Sequence, residues 1–578
     1  MAPERPRDDL PFDQSFQERA MEELEREPVG GTGLRHPPGL WVLFITEMWE
    51  RFSYYGMRAL LVFYLTASTA GVVNDAPNDN PGFGWSADDA YLLYGIYTWA
   101  VYLTPIFGGW LADKFLGTHR SMLIGGWIIA AGHICLAMTE FFGVTAGAVV
   151  TLQTGPGAVL MFMTGLGLIV VGTGFFKPCV SVMVGQLYEQ NDARRDSGFT
   201  IFYMGINLGA FFSPIVAGTL GEKIGWHWGF GSAAVGMIAG LFFYQLFRPR
   251  YLAGVGDPPE EKGSRAVLAK GLLAVAALAA VGTLIGTYVY PWLAERSLLT
   301  WFWLLVVAIG VATIVAFVLA QPPRERSPLG VIFILALVGN IFFWTAFEQA
   351  GSSMSVFARD NTDRAIPFIM VDVPPAPGEA SPAAEPSATD PGMAREQVPW
   401  EFPASWYQSV NPLAILVFAP VFAWLWMFLD RKRLNPSTPA KFFWGLFLLG
   451  LAFIAMIFGS MRARDGEIAG PQWLLITYVV YTWGELCLSP VGLSMVTKLA
   501  APRLQSFMMG FWFFTFSLSN LLAGLVARFS VRVESGEIAF LIDGLPGFYL
   551  MLVIFPIAAG VLILLLTPIL RRMMHGVH

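Results

Sequence analysis

The chain has 578 residues, of which 55% are hydrophobic and only 13% are charged, and its mean hydropathy is +0.56. Because soluble globular domains carry charge on about a quarter of their residues, this composition excludes that class and indicates a polytopic membrane protein. The net charge of -6 gives no sign of nucleic-acid binding, and the three cysteines have unrelated spacing, which indicates neither a disulfide framework nor a zinc site.

A membrane span needs about 20 apolar residues to cross a hydrocarbon core about 30 Å thick. Fourteen stretches of this sequence reach that length, and Lys and Arg concentrate in the loops on one side of them, which predicts a multi-pass protein of the cell (inner) membrane with both termini cytoplasmic. The predicted spans begin near Leu40, Asp88, Arg120, Thr154, Ser197, Trp228, Ala266, Leu298, Pro328, Ala404, Ala440, Pro471, Gln505 and Leu545.

The spans fall into two groups of six, separated by a basic linker and two further apolar spans that we expect to be peripheral, lipid-facing scaffolding. Such a six-plus-six arrangement is typical of a transporter whose binding site lies between two bundles. The predicted domains are a cytoplasmic tail (1–39), a first six-helix bundle (40–247), the linker with two extra helices (248–327), a second six-helix bundle (328–571) containing an extracytoplasmic Pro-rich loop (359–403), and a cytoplasmic C-terminus (572–578).

Between the second and third spans lies GGWLADKFLGTHR, in which Asp113 and Arg120 flank a glycine-containing turn. The stretch resembles the inter-helix loop motif of the major facilitator superfamily, although an ordinary charged turn is the alternative. With the twelve-span core, this resemblance implies an all-α major facilitator fold, extended here to fourteen helices.

The first span, Ile45 to Leu65, carries four charges: Glu47, Glu50, Arg51 and Arg58. At 100° per residue all four project into one arc of about 140°. Each ionised group near a bilayer centre costs about 2.5 to 3.5 kcal/mol on insertion scales, so four groups cost on the order of 10 kcal/mol unless they meet partners or water. We therefore expect this stripe to face an aqueous cavity.

Three further ionisable residues, Lys177, Glu348 and Glu485, lie well inside spans. From a rise of about 1.5 Å per residue, Arg58 and Glu348 each lie about 27 Å from the cytoplasmic start of their helices. They are expected to pair there and hold the outside closed. Lys177, Glu50 and Glu485 form an inner cluster by the same estimate, able to hold the inside closed. For any single one of these ionisable residues, a purely structural ion pair is the alternative.

Four buried acids face three bases in this set, so one carboxyl lacks a cationic partner. A surplus carboxyl in a desolvated cavity is expected to hold a proton part of the time, as a proton-coupled carrier requires. The hypothesis is that Glu47 or Glu50, which compete for Arg51, carries that proton.

Basic groups opposite acids suit a zwitterion, since an arginine takes a carboxylate and a glutamate with an asparagine takes an ammonium. The separation of the two poles indicates a ligand longer than one amino acid.

Nearby aromatic residues either shape side-chain pockets or simply pack. His133, in the third span, is interpreted as a hydrogen-bonded packing residue rather than a proton relay. The polar and aromatic candidates are Asn207, Asn411, Tyr102, Trp344 and Trp512.

Five stretches of the sequence point to one family. EMWERFSYY matches the ExxERFxYY signature of the proton-dependent oligopeptide transporters, and GTGFFKPCVS with FYMGINLGAFFSP resembles their second signature region; QSVNPL and GELCLSPVGLS extend the resemblance to nearly the whole chain. Animal members carry a histidine seven residues before the tyrosine that matches Tyr102, whereas this chain has Gly95. Proton coupling through that histidine is therefore excluded.

The resemblance implies a role for each matching position. Glu47, Glu50 and Arg51 look like the proton-coupling triad, and Arg58 and Lys177 like the groups that receive the peptide carboxylate. Arg58–Glu348 and Lys177–Glu485 look like the outer and inner gates. The remaining substrate-binding positions are Tyr54, Tyr55, Tyr102, Asn207, Trp344, Asn411, Glu485, Ser489 and Trp512.

The function expected from the sequence is a proton-coupled symporter that imports di- and tripeptides by alternating access. The alternative is a carrier of another small anion or zwitterion on the same fold. An enzyme is disfavoured, because no nucleophile–base pair or metal cluster is evident. The expected partners are peptides, protons and the lipid bilayer, with no nucleic acid, no cofactor and no metal, and a monomer is the expected functional unit.

Overall fold

The structure is a computed structural model that describes most of the chain. The described residues are 35–575 apart from 70–71, 74–75, 78–79, 143–146, 190–191, 193, 259–298 (except 266 and 269) and 374–395.

Within these ranges the molecule consists of thirteen long helices that run back and forth across it. Several begin with proline in the first turn, where a missing N–H costs nothing. The helices are α1 Pro38–Thr66, α2 Ala87–Leu103, α3 Thr118–Met138, α4 Pro156–Gln186, α5 Arg195–Lys223, α6 Trp226–Tyr251, α7 Leu299–Leu319, α8 Pro323–Asp360, α9 Val410–Arg431, α10 Thr438–Arg464, α11 Gln472–Leu499, α12 Gln505–Glu534 and α13 Leu545–Met573.

Ten helices in the described part are both long and apolar enough to cross a membrane. The first helix is not among them, because its charged residues interrupt the apolar run. The predicted number of fourteen spans is not confirmed: thirteen helices are counted, and the span expected from about Ala266 lies outside the described residues. Its expected neighbour is α7, whose side chains Leu305, Val307 and Ile309 are more than half exposed.

The helices form two halves, α1–α6 and α8–α13. In the first half α1 packs on α5 and α6, and α3 packs on α4 and α6; in the second half α10 packs on α11 and α13. The first helix begins on the face where α13 ends, which we call the terminal face. The opposite face carries a strand hairpin and is called the hairpin face.

The eighth helix is not continuous. A wider π-helical segment, Leu335–Asn340, and a tighter 3-10 segment, Glu348–Gly351, interrupt it. The buried amide of Gln349 bridges the second break, donating to the carbonyl oxygens of Thr345 at 3.2 Å and Ala523 at 3.0 Å. Buried carbonyls freed by a break require such partners, so the break is stabilised by a contact with α12.

In the described part of the chain, four strands form two small hairpins at the hairpin face. The strands β1 Val72–Val73 and β2 Ala76–Pro77 pair antiparallel, as do β3 Ala365–Val373 and β4 Glu396–Glu401. The second hairpin lies at the two ends of the stretch predicted as a Pro-rich loop. The sequence of β3, AIPFIMVDV, is rich in β-branched and apolar residues, which favour strands, so the loop prediction was wrong at its edges.

The predicted loop motif forms a tight turn at the terminal face. A π-helical segment, Ala112–Leu116, ends at Gly117, whose φ is 74°. A Cβ on Gly117 would lie 2.7 Å from the backbone nitrogen of Pro258. Only glycine combines this backbone conformation with so close an approach, and the turn thereby fixes the segment that follows α6.

Candidate functional site

The two halves meet at the hairpin face through a buried ion pair. Arg58 of α1 pairs with Glu348 at the break in α8, and the Arg58 Nε donates to the Tyr94 hydroxyl at 2.7 Å. Arg58 and Glu348 are 7% and 3% exposed. The structure therefore brings together the two residues that the depth estimate placed side by side in the outer half.

Close helix packing surrounds this pair. A Cβ on Gly95 of α2 would lie 2.9 Å from the Cα of Gly524 in α12, and a Cβ on Gly524 would lie 2.6 Å from the Cα of Gly95. A side chain at position 95, where animal members carry a histidine, would therefore meet backbone of the opposite half. Arg528 of α12 also pairs with Asp88 of α2.

Glu222 makes a second contact between the halves, away from the Arg58–Glu348 pair. The Glu222 carboxylate, at the end of α5, accepts hydrogen bonds from the backbone N–H groups of Ala404 at 2.9 Å and Ser405 at 3.0 Å. These residues begin the 3-10 turn Ala404–Ser409 that leads into α9. A carboxylate is a favourable partner for the free N–H groups at such a turn. The hairpin face is consequently closed.

A cavity of about 220 Å³ lies directly below this closure, between the halves. It is lined by side chains from both halves, with Arg58 and Glu348 at one end and Glu485 among its walls. Of the residues predicted to bind substrate or to act as gates, those in the cavity wall are Tyr55, Arg58, Tyr102, Asn207, Trp344, Glu348, Asn411, Glu485, Ser489 and Trp512.

The cavity continues toward the terminal face. A larger space of about 800 Å³ shares Tyr203, Glu485 and Ser489 with it and reaches Lys498 and Arg571 near the ends of α11 and α13. The site is therefore closed at the hairpin face and accessible from the terminal face.

The three residues predicted for proton coupling form one buried cluster beside the cavity. Arg51 Nε lies 2.7 Å from an oxygen of Glu47 and 2.8 Å from an oxygen of Glu50, and all three are at most 5% exposed. Two carboxylates thus share one guanidinium. None of the three lines the cavity, so a substrate in the cavity would not touch this cluster directly.

The predicted inner gate, Lys177–Glu485, is not formed in this structure, although both residues are described. The Lys177 ammonium lies 3.6 Å from the centroid of the Tyr102 ring. The Glu485 carboxylate accepts a hydrogen bond from Asn411 Nδ2 at 2.9 Å. Each group has a neutral partner instead, so the pairing of Lys177 with Glu485 is still a prediction.

Two further expectations differ from the geometry. Tyr54, expected in the pocket wall, is 3% exposed and packs between Tyr55 and Tyr102 rather than lining the cavity. His133 is fully buried, and neither ring nitrogen has a hydrogen-bond partner among the described residues. The interpretation of His133 as a hydrogen-bonded residue was therefore wrong.

Several cavity residues were missed in the sequence, and a helical spacing signal would have found some of them. Tyr203 lies four residues before Asn207, Tyr481 lies four before Glu485, and Phe516 lies four after Trp512. Residues four apart share one helix face. The cavity residues not anticipated include Tyr203, Phe347, Gln408, Tyr478, Tyr481, Phe513 and Phe516.

The described residues contain no group of three or more His, Cys, Asp or Glu side chains placed to hold a metal ion. Two helical halves with a polar cavity between them, closed at one face and open at the other, define a membrane transporter of the two-bundle class.

Comparison with known proteins identifies the family. The sequence profile of the POT family (PTR2) matches residues 119–377 and 391–540. The peptide transporter YePEPT of Yersinia enterocolitica subsp. palearctica is 36% identical over 570 residues, which cover 96% of this chain and 99% of that protein. The di-/tripeptide transporter of Lactococcus lactis subsp. cremoris is 33% identical over 545 residues, covering 93% and 96%.

Solved structures agree with the sequence matches. A crystal structure of peptide transporter POT in complex with sulfate superposes with a TM-score of 0.73 at 33% identity, covering 94% of this chain and 97% of that one. The chain belongs to the POT family, whose members are membrane transporters and not enzymes.

Proposed function

We propose that this protein is a proton-coupled symporter that imports di- and tripeptides by alternating access. The observation that carries the proposal is the central cavity, which holds a cationic group, Arg58, and an anionic group, Glu485, on walls contributed by opposite halves. The relatives named as peptide transporters support the choice of substrate.

In this proposal the peptide lies between the halves. Its carboxylate is received by Arg58 in the cavity wall and by Lys177, whose ammonium lies against the ring of the wall residue Tyr102 rather than in the wall itself. Its ammonium is received by Glu485 with Asn207 and Asn411. Charge-assisted hydrogen bonds of this kind are roughly twice as strong as neutral ones. The aromatic walls, among them Trp344, Tyr481 and Trp512, contact the peptide side chains.

Proton coupling is assigned to the cluster on α1. Arg51 has two carboxylates within 2.8 Å, so Glu47 or Glu50 can take a proton while the other keeps the ion pair. The proton gradient is the proposed energy source, and no cofactor enters the cycle. The terminal face is assigned to the cytoplasm, so the described conformation faces inward.

The test is uptake of labelled dialanine into proteoliposomes containing the purified protein, with and without an inward proton gradient. Accumulation above the equilibrium level only with the gradient is expected, with unlabelled dialanine competing and free alanine not competing. If uptake did not depend on the gradient, proton coupling would be contradicted. If no short peptide were taken up, the substrate assignment would be contradicted.

A further inference from the structure

The outer surface of the first half contains an apolar crevice, separate from the central cavity, with a volume of about 930 Å³. Helices α1, α3, α5 and α6 line it. Its walls include Phe212, Val235 and Trp228, which are 47%, 68% and 55% exposed. In a membrane protein these side chains face the bilayer, so the crevice is open to lipid rather than to water.

The crevice has the depth of one lipid leaflet. Along α6 its lining extends from His227, at the hairpin face, to Ile238. These residues are separated by about 16 Å at 1.5 Å per residue. Half of a hydrocarbon core about 30 Å thick is about 15 Å, so the crevice matches the length of an acyl chain in the leaflet at the hairpin face.

A polar pair marks the end of the crevice where a lipid headgroup would lie. His227 Nδ1 is hydrogen-bonded to the Glu140 carboxylate, and these side chains are 26% and 37% exposed. The aromatic residues Phe141 and Trp228 flank the pair, and tryptophan is enriched at the headgroup level of membranes. The other polar residue in the wall, Ser232, donates its hydroxyl to the Gly229 carbonyl at 2.7 Å.

We propose that this crevice is a binding site for one aminophospholipid, whose acyl chain fills the apolar part and whose headgroup contacts Glu140 and His227. The Glu140 carboxylate, oriented by the Nδ1–H of His227, accepts a hydrogen bond from the primary ammonium of the headgroup. A choline headgroup carries the same charges but has no N–H to donate, so the site should distinguish the two lipids.

The chain offers a matched pair of variants for the apolar part. A side chain on Gly231 would extend into the crevice, because its Cβ would meet only the Ala137 Cβ at 3.9 Å. Gly209 and Gly236 are unsuitable, since a Cβ there would lie 2.2 Å and 2.8 Å from atoms of α1. Gly167 of α4 is lipid-exposed and has no atom within 4 Å of its Cβ position, which makes Gly167→Phe the control for Gly231→Phe.

The experiment is native mass spectrometry of the purified protein with dioleoylphosphatidylethanolamine or dioleoylphosphatidylcholine added in equal amounts. The wild type should retain one molecule of the ethanolamine lipid about tenfold more than the choline lipid, as expected for one hydrogen bond to a charged group. Gly231→Phe should lose this lipid, whereas Gly167→Phe should keep it. Glu140→Leu, which removes the acceptor for the ammonium, should bind the two lipids equally.

Equal retention of both lipids by the wild type would overturn the headgroup assignment, and the wild-type comparison does not depend on the folding of any variant. If Gly231→Phe retained as much of the ethanolamine lipid as Gly167→Phe, the crevice would not be its binding site. Both readouts measure lipid binding, so they are independent of whether the protein carries peptides.

Discussion

At the scale of single residues, the charges on α1 are buried but paired. Arg58 has Glu348 and Tyr94 as partners, and Arg51 has Glu47 and Glu50. These pairs explain how α1 carries four charges inside the membrane. One pair joins the two halves, whereas the other lies within a single helix, which separates closure of the hairpin face from proton binding.

Glu348→Gln should weaken closure of the hairpin face. Removing one partner of a buried ion pair costs about 3–5 kcal/mol because the other charge is left uncompensated, and here the cost falls on the closed arrangement. Spin labels at Leu152 and Ile468, which are 70% and 73% exposed on opposite halves at this face, should move apart in a cysteine-free background.

The control for this change is Glu467→Gln, which removes an acid from an exposed pair with Arg462 at the same face. Exposed pairs contribute about 0–1 kcal/mol, so the label distances should be unchanged in this variant. If Glu348→Gln gave the same distances as Glu467→Gln, the Arg58–Glu348 pair would not hold the face closed.

Glu485→Gln should remove the preference for a free peptide amino group. The wild type should bind dialanine about tenfold more tightly than N-acetyl-dialanine, because a charge-assisted hydrogen bond is lost on acetylation. The variant should bind both peptides with similar, weak affinity. Calorimetric titration of purified protein measures both constants, and an unchanged preference in the variant would place the amino terminus elsewhere.

Much of the site could be predicted because buried charges in a membrane span need partners or water. Ten of the substrate-binding and gating positions predicted from sequence lie in the cavity wall. Tyr478 could not be distinguished from an ordinary packing residue, because it does not lie four residues from a predicted site residue, as Tyr481 and Phe516 do. The roles of these aromatic residues in binding are still predictions.

At the scale of helices, closure depends on how near α2 and α12 can approach. The backbones of Gly95 and Gly524 are in contact, and the neighbouring residues Tyr94 and Ala523 hydrogen-bond to Arg58 and Gln349. The glycine contact, the ion pair and the break in α8 therefore form one assembly. The sequence predicted α8 as a plain span, since the partner of Gln349 lies 174 residues away.

Gly95→Ala or Gly524→Ala should shift the protein toward a state that is open at the hairpin face. The added Cβ meets backbone of the opposite half at 2.9 Å or 2.6 Å in the closed arrangement, and this clash disappears when the halves separate. The same spin-label pair should report a larger distance for either variant, and the double variant should add little.

Gly510→Ala is the matched control, because Gly510 lies on the same helix with no atom within 4 Å of its Cβ position. It should leave the distances at the wild-type values. Wild-type distances in Gly95→Ala and Gly524→Ala would show that the close approach of α2 and α12 is not required for closure.

At the scale of the whole molecule, the helical membrane architecture could be anticipated from hydropathy, and the pairing of Arg58 with Glu348 from depth. The domain boundaries are still predictions. The conformation could not be anticipated, because in the proposed cycle the same sequence adopts both a state with Arg58–Glu348 formed and a state with Lys177–Glu485 formed. The structure has the first pair and lacks the second, which explains why one predicted gate is seen and the other is not.

In the proposed mechanism the α1 cluster carries the proton while the cavity carries the peptide. The most direct measurement compares gradient-driven uptake of labelled dialanine with its counterflow exchange, in the wild type and in Glu47→Gln and Glu50→Gln. At least one variant should lose accumulation driven by the proton gradient yet retain exchange. Full gradient-driven accumulation in both variants would contradict this mechanism.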